Sequence, residues 1–99
     1  MPKSAYSANS QAKVCAAAVV AALNGTTAAT PAYTNTCYSV VGEDYGISVA
    51  AIYKLADGKL TSVEGAGGLT PADASAETLK REVLYAHSWF TNITQDIFG

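Results

Sequence analysis

The sequence predicts an α+β fold: an N-terminal buried helix, a three-stranded antiparallel meander and a long C-terminal amphipathic helix. Three observations carry this. An alanine-rich apolar stretch ends at Leu23 and is closed by Asn24-Gly25. The middle of the chain is rich in β-branched and aromatic residues, broken by Gly42-Glu43-Asp44 and Asp57-Gly58. Between Leu79 and Ile97, apolar residues recur at alternating steps of four and three.

Residues 1–8, with Pro2 and several small polar side chains, read as an extended lead-in. Ser7 or Asn9 is a candidate cap for a helix whose body is 11–23. Asn24-Gly25 is its C-terminal stop, since glycine accepts the left-handed conformation there. Val14, Val19, Val20 and Leu23 among alanines make nearly every face apolar, which predicts a helix buried all round. Residues 26–33 form a small-residue and proline connector.

Strands are expected over 34–41 and 45–55, joined at the Gly42-Glu43-Asp44 turn. Ile47, Val49, Ala51 and Tyr53 give the second strand one clearly apolar face. Asp57-Gly58 predicts a two-residue hairpin into a third strand over 59–64. Gly65-Ala66-Gly67-Gly68 reads as a flexible turn, because its glycine spacing does not fit a phosphate-binding loop. Asp73 or Ser75 then caps a last helix over 76–96. Leu79, Val83, Ala86, Phe90, Ile93 and Ile97 form its core stripe. On a helical wheel Trp89 lies about 80° and Tyr85 about 120° off that stripe, facing something other than the seam.

Composition narrows the function. The 99 residues allow one small domain or part of a larger one. Net charge is −2, which argues against a nucleic-acid binder with a basic patch. Charged residues make up 14% against 49% hydrophobic. An average soluble domain carries about 25% charged residues, so this chain has too little polar side chain to cover a free-standing surface. It reads as a piece of a bigger protein. The longest apolar run, 14–23, is too short for a membrane span. It could imitate a signal-peptide core, but the preceding residues 4–11 are polar and no convincing cleavage site follows.

The catalytic inventory is thin. His87 is the one histidine and reads as a surface residue. Cys15, Cys37 and His87 lack metal-ligand spacing, so no metal site is assigned. Cys15 lies within the alanine helix, as a small buried thiol would. Cys37 sits among Asn35, Thr36 and Ser39, the better setting for a reactive thiol or a disulfide partner. A Cys15–Cys37 bridge stapling the first helix to the sheet stays open.

Four strings then narrow the reading: Met-Pro-Lys-Ser-Ala-Tyr-Ser-Ala-Asn-Ser-Gln-Ala-Lys (1–13), Asn-Thr-Cys-Tyr-Ser (35–39), Asp-Tyr-Gly-Ile-Ser-Val-Ala (44–50) and Tyr-Ala-His-Ser-Trp-Phe-Thr-Asn-Ile (85–93). In this order and spacing they resemble the C-terminal part of the flavoprotein subunit of flavocytochrome c sulfide dehydrogenase. The similarity runs over essentially the whole chain. In that family the FAD fingerprint and the Gly-Asp ribityl motif lie upstream. The resemblance therefore implies a last quarter of such a subunit, with FAD held mainly by an N-terminal portion and Met1 an internal residue. It divides the chain into 1–25, the flavin-facing end of the FAD domain, and 26–99, a C-terminal interface domain.

The resemblance also assigns roles. Cys37 matches the second cysteine of a redox-active disulfide beside the flavin, its partner lying in the N-terminal portion. Sulfide would attack that disulfide to form a persulfide, and the released thiolate would pass electrons to the flavin. Lys3, Ser4, Ala5 and Tyr6 match the segment running past the isoalloxazine ring; where the family commonly has glycine after Lys-Ser, this chain has Ala5. Gln11 falls within the same flavin-facing segment. The helix that follows is expected to aim its N-terminus at the pyrimidine side, where its dipole favours negative charge. Tyr6 and Trp89 match aromatics at the flavin edge, toward a c-type cytochrome subunit. A periplasmic location is implied by the same resemblance. The rival reading is a stand-alone binding or structural module without catalysis. An upstream reading frame carrying the glycine fingerprint and a second cysteine would decide between the two.

Overall fold

The computed structural model describes residues 1–99. In chain order the elements are α1 (Ala5–Leu23), β1 (Ala32–Gly42), β2 (Tyr45–Ala56), β3 (Lys59–Ser62), β4 (Gly68–Leu69) and α2 (Ala76–Phe98). The α+β class and the order of helix, meander and helix are as the sequence predicts. The strands form a four-stranded sheet in the order β1-β2-β3, with β4 paired to β2. The chain divides into two compact units. One comprises Met1–Asn35 and Ala51–Gly67, the other Thr36–Ala50 and Gly68–Gly99.

In the first unit α1 begins at Ala5, six residues ahead of the expected helix body. Its cap is Ser4, not Ser7 or Asn9. Ser4 is extended (φ −134°, ψ 159°) and its hydroxyl accepts the Ser7 backbone N–H. The small polar residues taken for a lead-in are thus the first turns of the helix. The C-terminal stop falls where Asn24-Gly25 places it, with Gly25 at φ +66°.

The expectation that α1 is buried all round fails within this chain. Val19, Val20 and Leu23 are exposed, and the helix residue that is buried is Ser7. Helical periodicity and composition report how apolar a face is. They do not report whether anything in the chain covers it.

The β2–β3 hairpin turns at Asp57-Gly58, both at positive φ (51° and 76°), which fixes the register Ala56↔Lys59 through Tyr53↔Ser62. β3 stops at Ser62 instead of Glu64. The chain leaves the ladder after Val63, whose N–H donates to the Ile52 carbonyl at 2.8 Å.

In the second unit the run after Gly65 is more than a turn. Gly68 and Leu69 pair with Ala50 and Val49 as β4. Thr70 extends the pairing, its N–H donating to the Ser48 carbonyl at 3.0 Å and its Oγ1 accepting the Ser48 N–H at 2.8 Å. Ser75 caps α2 by accepting the Thr78 N–H, one of the two expected caps. Val83, Ala86 and Ile93 are its buried residues. Gly46 lets α2 approach, since a Cβ there would lie 2.8 Å from the Val83 backbone nitrogen.

Two members of the predicted stripe depart from it. Phe90 is 61% exposed and Ile97 59%. Trp89, expected off the seam, is half-buried with its ring against Tyr38 (centroids 5.9 Å apart, planes tilted by 35°). The stripe is right at Val83, Ala86 and Ile93. At Phe90 the chain offers no covering surface, and at Trp89 it does.

Candidate functional site

The predicted site residues fall into two groups, one in each unit. The first group surrounds the N-terminus of α1. Ser4 caps the helix, and its hydroxyl donates to Asn35 Oδ1 at 2.6 Å. Ser7, three residues on, donates its own hydroxyl to the same oxygen at 2.8 Å. Ser10, one step further, accepts the Thr34 backbone N–H at 3.1 Å. Three serines at steps of three thus tie the start of α1 to the start of β1. Ser7 and Asn35 are 2% and 3% exposed, so the interior here is polar and fully hydrogen-bonded.

An open pocket of about 700 Å³ lies at this helix end. Lys3, Ser4, Ala5 and Gln11 line it together with Met1, Pro2, Ser7, Ala8 and Leu60. Gln11 Nε2 lies 3.6 Å from Met1 Sδ across it. Tyr6 is half-buried in the same turn and is not among the lining residues. The amides of Ala5 and Tyr6 belong to the first turn, where a helix has no carbonyl of its own to offer them. With the exposed Lys3 ammonium, they make this the positive end of the unit.

The second group is in the other unit. Cys37 is half-buried on β1, followed directly by Tyr38, whose ring meets Trp89 of α2. Cys15 is exposed on α1, contrary to the buried position expected for it, and no disulfide joins it to Cys37. His87 is exposed.

A family model described as "Flavocytochrome c sulphide dehydrogenase, flavin-binding" matches residues 29–98. The chain belongs to this family. As a flavin-binding domain of the flavocytochrome c sulphide dehydrogenase family, it has a flavin as its cofactor and belongs to an oxidoreductase. The matched residues include Asn35, Cys37, Tyr38 and Trp89, whereas Lys3 to Gln11 precede them. No helix is long and apolar enough to cross a membrane.

The residues present fit a flavin. Its ring system is flat and apolar at one end, with carbonyl acceptors and, when reduced, negative charge at the other. The α1 end offers small side chains for close approach, amide donors and a lysine. The other unit, taken by itself, carries an aromatic pair, Tyr38 and Trp89, next to the Cys37 thiol in sequence.

Sequence reasoning missed Ser7 and Asn35 as members of the first group. A signal for them was present: Ser4, Ser7 and Ser10 at steps of three bring hydroxyls to one side of a helix, and a polar Asn35 opens a strand otherwise rich in β-branched and aromatic residues. Both signals depend on α1 starting at Ala5.

Proposed function

We propose that this chain is the C-terminal portion of an FAD-dependent sulfide dehydrogenase flavoprotein, which oxidises sulfide and passes electrons to a c-type cytochrome in the periplasm. The observation that carries the reading is the family match over 29–98, with Cys37 inside it on a strand whose next residue, Tyr38, packs on Trp89.

Bound flavin supplies a two-electron acceptor that can return electrons singly. Cys37 forms a disulfide with a cysteine of the N-terminal portion. Hydrosulfide attacks one sulfur of that bond. A new S–S bond forms, giving a persulfide that keeps the proton, while the old bond breaks and the other sulfur leaves as a thiolate carrying the electron pair. Lys3 and the first-turn amides of α1 stabilise negative charge at the cofactor, with Ser4, Ala5, Tyr6 and Gln11 shaping the contact. Trp89 and Tyr38 form the aromatic edge toward the cytochrome.

The test is Cys37→Ser in the complete flavoprotein subunit, with flavin absorbance followed after sulfide is added. Flavin content should be retained and sulfide-dependent bleaching lost. Bleaching at the unsubstituted rate would overturn the role of Cys37.

A further inference from the structure

We propose that the face of β2 turned away from α2, with Tyr45, Ile47, Val49 and the cross-strand Leu69, is a docking surface. Its occupant is the segment of the N-terminal portion that carries the second cysteine. This rests on the reading of Cys37 as half of a disulfide with that portion, and it names the surface on which the partner cysteine is held.

The side of β2 that meets α2 is marked by Gly46, where a Cβ would collide with the Val83 backbone. Strand side chains alternate between faces, so Gly46, Ser48 and Ala50 lie on the α2 side and Tyr45, Ile47 and Val49 on the other. Leu69 stands directly opposite Val49 in the ladder and shares its face. An antiparallel sheet with one wet face ordinarily turns its apolar residues to the core and its polar ones to water. Here the pattern is reversed. Glycine, serine and alanine face the helix, while Tyr45 is 50%, Ile47 40%, Val49 47% and Leu69 74% exposed. Small residues on one side suit a closely packed helix, and large apolar ones on the other suit a second covering layer.

Cys37 is directed to the same side. The ring of Tyr38 meets Trp89 of α2, so the residue before it in the strand points to the opposite face. A disulfide holds its two Cα atoms about 4.4–6.8 Å apart. The segment bearing the partner cysteine therefore runs over this face and not over the α2 side. β1 carries no charged residue and β2 none before Lys54, so the segment meets the face with apolar side chains. The Tyr38–Trp89 pair, assigned to the cytochrome side, lies across the sheet, which leaves this face to the N-terminal portion.

Tyr45 and Tyr85 are matched probes, 50% and 49% exposed in this chain, with Tyr85 on α2. Hydroxyl-radical footprinting of the complete flavoprotein subunit without cytochrome should modify Tyr45 several-fold more slowly than Tyr85. Equal rates, or protection of Tyr45 that appears only when the cytochrome subunit is added, would overturn the inference. Leu69→Lys puts a charge on the face at its most exposed position, where this chain itself loses little. Once the disulfide is reduced, Cys37 should react with a thiol reagent several-fold faster in Leu69→Lys than in the unsubstituted subunit, and at the unsubstituted rate in Leu84→Lys on α2. An unchanged rate in Leu69→Lys would also overturn the inference. Peptide mapping of the oxidised subunit separates the two readings. Cys37 not joined to a cysteine of the N-terminal portion overturns the functional reading together with this one, whereas a joined Cys37 with Tyr45 as reactive as Tyr85 overturns this inference alone.

Discussion

At Gly46 α2 lies hard against β2, and a single methyl group there measures how tightly that contact is set. In Gly46→Ala the new Cβ would lie 2.8 Å from the Val83 backbone nitrogen, 3.0 Å from Val83 Cγ2 and 3.1 Å from the Glu82 carbonyl carbon. Two of these three atoms are backbone, so no rotamer change relieves them. The helix must retreat by roughly half an ångström, loosening the buried contacts of Val83 and Ala86. Overpacking of this kind costs about 1–3 kcal/mol. Against it stands a gain of about 0.4–1 kcal/mol, because alanine restricts the unfolded chain more than glycine does. The net loss centres on about 1.3 kcal/mol and reaches about 2.6 kcal/mol at most, and the midpoint corresponds to a fall of roughly 5–10 °C in Tm for a domain of this size. Trp89 is the one tryptophan and lies on α2, so its fluorescence reports the transition directly in urea or on heating. Gly68→Ala is the control: a Cβ there meets nothing within 4 Å and the backbone is not at positive φ. Equal stability of Gly46→Ala and Gly68→Ala would refute the close approach of α2.

Ser4→Ala removes the α1 cap and one hydrogen bond to Asn35, and should cost about 1–2 kcal/mol in urea unfolding; Ser10→Ala, which loses only the Thr34 contact, should cost less. Phe90→Ala should change stability by under about 1 kcal/mol, because Phe90 is largely exposed, whereas Trp89→Ala should cost more by losing its packing on Tyr38; the reverse order in thermal melts would contradict the observed face of α2. Cys15→Ala should leave sulfide-dependent flavin reduction in the complete subunit unchanged, and a loss matching that of Cys37→Ser would count against assigning the chemistry to Cys37 alone. The 99-residue chain in isolation should self-associate through its exposed valines and leucines, so its sedimentation coefficient should fall on tenfold dilution; a constant monomer value would show that those faces need no cover.

What the sequence made legible is local chemistry with a steric cause. Asp57-Gly58 must turn because both residues take positive φ, and Gly25 ends α1 for the same reason. Ser75 caps α2 because its hydroxyl reaches an amide that has no other partner within the helix. The start of α1 is not legible locally, because Ser4 and Ser7 look like loop residues and it is Asn35, some thirty positions away, that receives their hydroxyls. β4 is not legible in the sequence, because two residues, Gly68 and Leu69, carry no periodicity. Their pairing is decided by Ser48 and Thr70.

The burial errors share one cause, and it bears on function. The apolar face of α1, with Val19, Val20 and Leu23, and the positions of Phe90 and Ile97 on α2 are apolar by pattern and exposed in fact. A low-charge chain that leaves these side chains in water gains little stability from them. By contrast, the best satisfied interior of the first unit is polar: Ser4, Ser7 and Asn35, with both donors and the shared acceptor in place. Hydrophobic surface without cover and a fully bonded polar clamp are opposite signs. The first marks apolar faces that this chain does not cover itself. The second marks a geometry this chain sets by itself, at the helix end proposed to face the cofactor.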